Sequence, residues 1–483
     1  MSLDLFGTAL RQPLLEPDDI HLLVGSTLER CDGGQRHGYP ELRQAAEQAA
    51  RDADAGRDEI GLAQVADQLT TLLGAAGPGD LADAGDARAL ARRAISHELQ
   101  LHHALSRAHP DATFIADLAR ERGFQVAYVA DTPLPHDWVL RMLAQADLWP
   151  DHLLVSSQEG VRKHVGLFER LSEVTGFDPS AIVHLGPHDS LDVSEPMALG
   201  YQAIRHPHPI EQTNLGSLYC SRTRTEAHNS RTAADSMLLS LVQDRLGPHP
   251  EYPRTLTDLG YGAAGPFVVG LAAWIARLID DLHPQLTMID GPLAPSMRMA
   301  LGVIRPDLPD VATTDPGNDL AGDLLRISAY EDRRVLAIGT DLHRAWPREL
   351  RHAAAARSLG VDIVPAYLAA PQPRTDSPDV HYWCDRPWQR RQLQALSGNQ
   401  RSLLATLCHA EPVEQRSPSG RLARTGSARS DVAAGLVDYA EDACTWLRLD
   451  FRHATSLLAE PMVRLLSEPT AEETVLLAQL ARD

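Results

Sequence analysis

Between residues 124 and 186 short apolar runs alternate with amphipathic stretches, and this alternation constrains the fold more than any other feature. Phe124–Ala130 reads as a buried strand, 136–146 as a helix, Leu153–Ser156 as a strand, 165–176 as a helix, and Ala181–Leu185 as a strand ending at Gly186. Strands separated by helices point to a parallel, doubly wound sheet. In such sheets chemistry gathers beyond the carboxyl ends of the strands. Residues 3–9 (LDLFGTA) read as a very short strand running into a turn, which places Asp4 at one such end. With only three residues before Asp4, either the start is misassigned or this strand is a frayed sheet edge.

Ahead of the alternation, residues 40–53, 59–73 and 87–107 carry apolar side chains at three- and four-residue spacing and read as helices. The polar, proline-ended stretch 213–256 reads as a linker around one helix. A second α/β region over 257–412 is expected, with a helix at 267–282, strands at 286–290, 335–339 and 362–367, and a helix at 344–358. Residues 371–379 form a turn-rich loop. The Ser/Arg/Gly-rich run 414–430 reads as mobile. Helices at 431–446, 451–466 and 470–481 complete a C-terminal region over 413–483.

A length of 483 residues suits two or three domains. The formal charge of −20 argues against a nucleic-acid partner, because phosphate contacts need clustered basic groups. No run of 18 apolar residues occurs, so no membrane span is expected. Asp4 interrupts any secretory leader. Five well-separated cysteines without a CxxC pair fit free thiols, and the expected location is cytoplasmic. Among the 45 basic residues only Lys163 is lysine. A chain that otherwise uses arginine keeps one compact ammonium, which enters a small polar pocket more readily than a guanidinium fork. A surface remnant is the alternative.

Four pieces carry the candidate chemistry. Asp4-Leu5-Phe6-Gly7-Thr8 is a carboxylate at a strand end followed by a turn; Tyr128-Val129-Ala130-Asp131 ends a strand; Lys163 precedes a helix; and His184-Leu185-Gly186-Pro187-His188-Asp189-Ser190-Leu191-Asp192 follows another strand. In this order they resemble the four motifs of the haloacid dehalogenase superfamily. More narrowly, they resemble a subgroup of hydrolases often encoded near polysaccharide and glycosyltransferase functions. That subgroup reads approximately FDVFDT, ISDMYLP, SSEYGVTKSSG and HIGDNYHSD, where this chain has LDLFGT, VADTPLP, SSQEGVRKHVG and HLGPHDSLD. The likeness covers about 1–212, with residues 14–108 as a helical cap, and continues faintly through Leu259-Gly260-Tyr261-Gly262 and Ile289-Asp290-Gly291.

The resemblance implies an HAD-like α/β fold and an aspartate nucleophile that forms a phosphoenzyme later hydrolysed by water. Asp4 would be the nucleophile, Lys163 the charge-stabilising lysine and Asp192 the acidic group supporting lysine and metal. Thr8, Ala130 and Asp131 would face the substrate. Mg²⁺, if used, would be held by Asp4, the Phe6 carbonyl, Asp189 and Asp192. Several positions depart from the pattern. Phe6 and Gly7 replace carboxylates, Ala130 lacks the hydroxyl expected of motif two, and Pro187 replaces the metal aspartate, which weakens the Mg²⁺ site. The expected function is hydrolysis of a phosphorylated small biosynthetic metabolite. Two alternatives stand beside it: a degenerate pseudoenzyme that binds a metabolite or scaffolds a partner, and a metal-independent dehalogenase-like hydrolase. A small-molecule substrate is expected, and a protein partner or homo-oligomer is compatible with the sequence.

Other motifs read as structural. Gly260-Tyr261-Gly262-Ala263-Ala264-Gly265 matches a dinucleotide fingerprint but follows a proline-rich polar stretch rather than a strand, so a helix-entry turn is expected. His97-Glu98 with His102 and His103 has the wrong interval for a zinc-binding helix. His206 and His208 flank prolines in an expected surface loop, and Cys408-His409 lacks a nucleophile–base arrangement.

Overall fold

The computed structural model describes residues 1–32, 38–53, 59–75, 84–206, 231–246, 253–308, 311–314, 320–342, 344–369, 380–384, 386–409, 427–447 and 454–482. The loop expected over 371–379, most of the run 414–430, the first part of the expected linker, His208 and Cys220 lie outside them. The chain divides into two compact units, Met1–Gln212 and Thr213–Asp483.

In the first unit, β1 (Ser2–Asp4), β2 (Leu10–Arg11), β3 (Arg107–Ala108), β4 (Ala127–Ala130), β5 (His152–Val155), β6 (Val183–Gly186) and β7 (Gln202–Arg205) follow in chain order. Five of them form a parallel sheet in the order β5-β4-β1-β6-β7. The frayed edge considered for the opening strand is not found, because β1 is the centre of the sheet. Ser2 lies in register with Ala127 on one side and His184 on the other. The Met1 ammonium also donates to the Gln125 carbonyl at 2.8 Å. Three residues suffice because both flanking strands supply hydrogen-bond partners, and Leu3 and Leu5 are fully buried. Complete burial of such a side chain contributes about 1.5–3 kcal/mol. The edge strand β7 escaped notice in the sequence because its residues are mostly exposed and do not form an apolar run.

Between β2 and β3, which pair antiparallel, the chain inserts the helices Ile20–Asp32, Tyr39–Ala53, Leu62–Ala75 and Ala84–Leu105. The first was not expected. A buried ion pair ties the insertion together: Arg43 Nε and Nη2 donate to the Glu98 carboxylate at 3.0 and 2.9 Å. Breaking such a pair by removing one partner typically costs about 3–5 kcal/mol.

The second unit holds β8 (Leu286–Asp290), β9 (Val311–Thr313), β10 (Arg334–Gly339), β11 (Asp362–Ala369) and β12 (His381–Cys384), parallel in the order β12-β11-β10-β8-β9. The stretch read as a linker carries the helix Ala233–Leu246, whose residues are nearly all buried, so it belongs to the core of this unit. Residues 428–430, read as the end of a mobile run, begin the helix Ala428–Leu447. The GxGxxG string does not form a turn. Gly260–Ala264 is helical and runs into the helix Gly265–Leu282. A Cβ on Gly260 would collide with the Val432 carbonyl, and one on Gly265 with the Tyr439 ring, so these glycines let two helices cross closely. Among the described residues one helical stretch, Leu256–Leu282, is long and apolar enough to cross a membrane, and 94% of its most apolar window is buried inside the protein.

Candidate active site

Strand order in the first unit creates a switch point. The chain builds β4 and β5 on one side of β1, then returns to the other side for β6, which leaves a crevice beyond the carboxyl ends of the central strands. Asp4 ends β1, Asp131 follows β4, and the Gly186–Asp192 segment follows β6. They meet at a cavity of about 480 Å³ whose wall also includes Phe6, Arg43, Glu59, His102, Ala130, Thr132, Arg162 and Lys163.

At the centre, Lys163 donates from Nζ to Asp4 Oδ1 and, at 2.5 Å, to Asp192 Oδ1. The ammonium is buried, 159 residues from Asp4 in sequence, and stays protonated: burial alone would lower its pKa, but the two carboxylates raise it well above the usual value. Burial pushes Asp4 up from the ordinary carboxylate range to about 6; Lys163 lowers it and Asp192 raises it. Asp192 goes the other way. Burial opposes its charge, but a hydrogen bond from His184 and the Lys163 charge hold it well below the usual range. Two carboxylates on one ammonium thus shift in opposite directions, and the one that also accepts from His184 is the one held low.

Asp192 accepts three hydrogen bonds. Its Oδ1 accepts from Lys163 and from His184 Nε2 at 3.2 Å, and its Oδ2 from the His188 backbone N–H at 3.0 Å. This position requires Gly186, because a Cβ there would collide with the Asp192 carboxylate. His184 is fully buried, and burial lowers its pKa to about 4, so it is neutral and donates from Nε2 while Nδ1 accepts from the Ser2 hydroxyl at 2.8 Å. Sequence reasoning missed His184 as an orienting group, although it opens the fourth motif.

Asp131 is partly diverted. Its Oδ1 accepts the Lys163 backbone N–H at 2.9 Å, which fixes the loop carrying the lysine. Ala130 lies on the wall without a hydroxyl, and Thr132, two residues on, supplies one there. The Thr132 hydroxyl accepts from Leu134 N–H at 3.3 Å. The motif VADTPLP contains this threonine, so it was open to discovery. Two expected residues are elsewhere. Thr8 is buried and not on the cavity wall, because Gly7 adopts a left-handed φ of 81° and the turn folds Thr8 into the interior. Asp189 is not a metal ligand to this cavity. Its side chain is 78% exposed and receives Arg205 Nε at 2.8 Å.

The residues do not fit the Mg²⁺ expected beside Asp4. Asp192 is fully buried and already accepts three hydrogen bonds, Asp189 faces solvent, Pro187 offers no side-chain oxygen, and Lys163 already places a positive charge between Asp4 and Asp192. Asp4 and the Phe6 carbonyl alone leave most of an octahedral shell to water. A separate group, His109, Asp111 and His206, brings potential ligand atoms within 4.8 Å of one another. His109 Nδ1, however, accepts the Asp111 backbone N–H at 3.1 Å as a helix cap. That bond keeps the ring proton on Nε2, so metal ligation there would disrupt the cap. The zinc-like string 97–103 is structural, with Glu98 committed to Arg43 and to His21 at 3.7 Å. Cys408 is buried and its thiol pKa is raised by that burial, which leaves it unreactive as a nucleophile.

No protein-family model matches the chain, and no curated protein matches it. Solved structures do. A 2-haloacid dehalogenase from Pseudomonas syringae pv. Tomato DC3000 is 19% identical, with 42% of this chain and 84% of that one covered and a TM-score of 0.34. A "predicted phosphoglycolate phosphatase" from Haemophilus somnus 129pt shows 15%, 43%, 88% and 0.30 for the same measures. The HAD-hydrolase YfnB from Bacillus subtilis, solved bound to magnesium, shows 14%, 41%, 84% and 0.31. These neighbours are haloacid-dehalogenase-superfamily proteins.

Proposed function

We propose that the first unit is an HAD-like hydrolase acting through Asp4 on a phosphorylated small metabolite. One observation carries the reading: the chain's single lysine is buried against the carboxylate at the end of the central strand. A generic surface cation would not be retained as the lone lysine and then desolvated between two aspartates.

In the proposed sequence an Asp4 carboxylate oxygen attacks phosphorus, the bond to the leaving oxygen breaks, and an aspartyl phosphate forms. Phe6 has no proton to give, so the leaving alkoxide takes one from water. A second water then attacks phosphorus and returns Asp4 and inorganic phosphate. Lys163 offsets the charge at the reacting oxygens, held in place by Asp192 and, through its backbone, by Asp131. Thr132 is the candidate hydroxyl donor on the wall.

A second reading has its own support. Because the donors around Asp4 do not suit Mg²⁺ and Lys163 supplies the local positive charge, displacement at carbon, as in a metal-independent dehalogenase, fits the same residues. A panel of phosphate monoesters and 2-haloacids, assayed with EDTA and with Mg²⁺, tests both readings. Turnover in H₂¹⁸O separates them. Attack at phosphorus puts the label in inorganic phosphate, whereas displacement at carbon puts it in the Asp4 carboxylate after hydrolysis of the ester. Asp4→Asn should abolish either activity. No turnover of any panel member by the wild type would remove the catalytic reading in favour of a binding protein.

A further inference from the structure

The cations on the cavity wall are not equivalent. Arg43 donates to Glu98 and Glu47, Arg51 to Glu47 and Glu59, and Lys163 to Asp4 and Asp192. Each of them is occupied by carboxylates. Arg162 differs. Among the described residues it makes only ion-pair approaches, from Nε to Glu59 Oε2 and to Asp131 Oδ2, both at 3.6 Å and too long for hydrogen bonds. Its side chain is 32% exposed on the cavity wall. Both carboxylates approach the Nε, which leaves the terminal fork of two nitrogens for the cavity.

Its setting holds that fork in place. Glu59 is 1% exposed and anchored by Arg51 at 2.7 Å, by Ser156 Oγ at 2.9 Å and by the Ile60 N–H at 2.9 Å. Asp131 is anchored by the backbone N–H of the residue next to Arg162. Two fixed carboxylates flanking one end of a guanidinium orient it while leaving its planar edge without an acceptor. A planar fork of this kind matches a carboxylate bidentately, and burying it without an acceptor is costly.

We propose that Arg162 is the substrate-anchoring residue of this cavity, and that its natural ligand carries a carboxylate in addition to the group that reacts at Asp4. Arg162 lines the same cavity as Asp4 and approaches Asp131, which also holds the Lys163 backbone, so one small ligand can span the anchor and the reacting carboxylate. The substrate class is therefore a small phosphorylated or otherwise activated carboxylic acid rather than a neutral sugar or alcohol ester. This assignment deepens the hydrolase reading and rests on it only for the identity of the reacting group.

Binding without turnover tests it. Phosphonoacetate and methylphosphonate share a phosphonate, and only the first has a carboxylate. Calorimetric titration of the full chain should show phosphonoacetate binding about tenfold or more tighter than methylphosphonate, the scale of one charge-assisted pair. Arg162→Ala should erase that preference with an unchanged melting temperature, and Arg162→Lys should restore part of it. Asp4→Asn should keep the preference, since it removes the nucleophile and leaves the anchor. Equal affinity of the two probes for the wild type, no binding of phosphonoacetate, or an undiminished preference in Arg162→Ala would each overturn the proposal. If the wild type shows the preference but turns over no substrate panel, the anchor stands and the hydrolase reading falls. If it turns over phosphorylated acids with a KM that Arg162→Ala does not raise, the hydrolase stands and the anchor falls.

Discussion

Both units carry an aspartate at the carboxyl end of a strand beside a switch in strand order, and the groups that meet the two aspartates differ. In the first unit Asp4 ends β1 and meets a buried ammonium. In the second, Asp290 ends β8, next to β10, and meets two hydroxyls and an arginine. Thr314 Oγ1 donates to its Oδ1 at 2.6 Å, Thr340 Oγ1 donates to its carbonyl oxygen at 2.8 Å, and Arg344 approaches no nearer than 3.5 Å. Parallel-sheet topology offers the same crevice twice. What differs is the side chain delivered across it: a lysine buried against the carboxylate, or threonines that leave Asp290 Oδ2 without a hydrogen-bond partner among the described residues.

The largest effect separating the two ends should follow Lys163→Met. This change leaves Asp4 and Asp192 buried without their shared cation, and chemical denaturation should show the first unit destabilised by about 3–5 kcal/mol, together with loss of turnover. A stability close to wild type would mean that the ammonium is not the element holding the two carboxylates. Asp290→Ala tests the other end. It strands the Thr314 hydroxyl and should cost about 1–3 kcal/mol while leaving turnover at Asp4 unchanged; a fall in turnover would break the comparison.

Acidity sharpens it further. Asp4 must be ionised to attack, and its pKa stands at about 6, so turnover should fall about tenfold per pH unit below that value. The sign for stability is opposite to that of an ordinary paired carboxylate. The folded value lies above the unfolded value of about 4, so the native state takes up the proton first, and stability from Asp4 declines as pH rises through the window between them. Asp192, with its pKa lowered, contributes stability that is present above the unfolded value and lost only in stronger acid. A pH–rate profile flat down to 4.5 (roughly the ordinary carboxylate range) would exclude Asp4 as the titrating nucleophile. The smallest effect belongs to Asp189→Ala, which removes an exposed pair with Arg205. It should change stability by less than about 1 kcal/mol and leave any Mg²⁺ response unaltered.

Much of the first unit was legible beforehand because its signals are local. The alternation over 124–186 gave strands and helices within a few residues of those observed, and Asp4, Lys163 and Asp192 were marked by motif order. The insertion helix Ile20–Asp32 and the exposed edge strand β7 were not seen, and the buried helix Ala233–Leu246 was expected only as the one helix of a linker. The first two have weak apolar periodicity, and the third is apolar enough for a core but sits in a polar stretch. At the site, Asp189 and Asp192 look interchangeable in HLGPHDSLD. The fold sends one to Arg205 in solvent and the other beneath Gly186.

By itself the sequence determined which residue types stand at strand ends and that a single ammonium was available. Both follow from short-range patterning and from counting. Tertiary structure alone decided which groups share a cavity, which carboxylates are already hydrogen-bonded, and that the Arg162 fork has no acceptor among the described residues. Those outcomes depend on burial and on donors brought from 29, 97 and 159 residues away, and electrostatic energies inside a protein are set by such neighbours rather than by the residue's own chemistry.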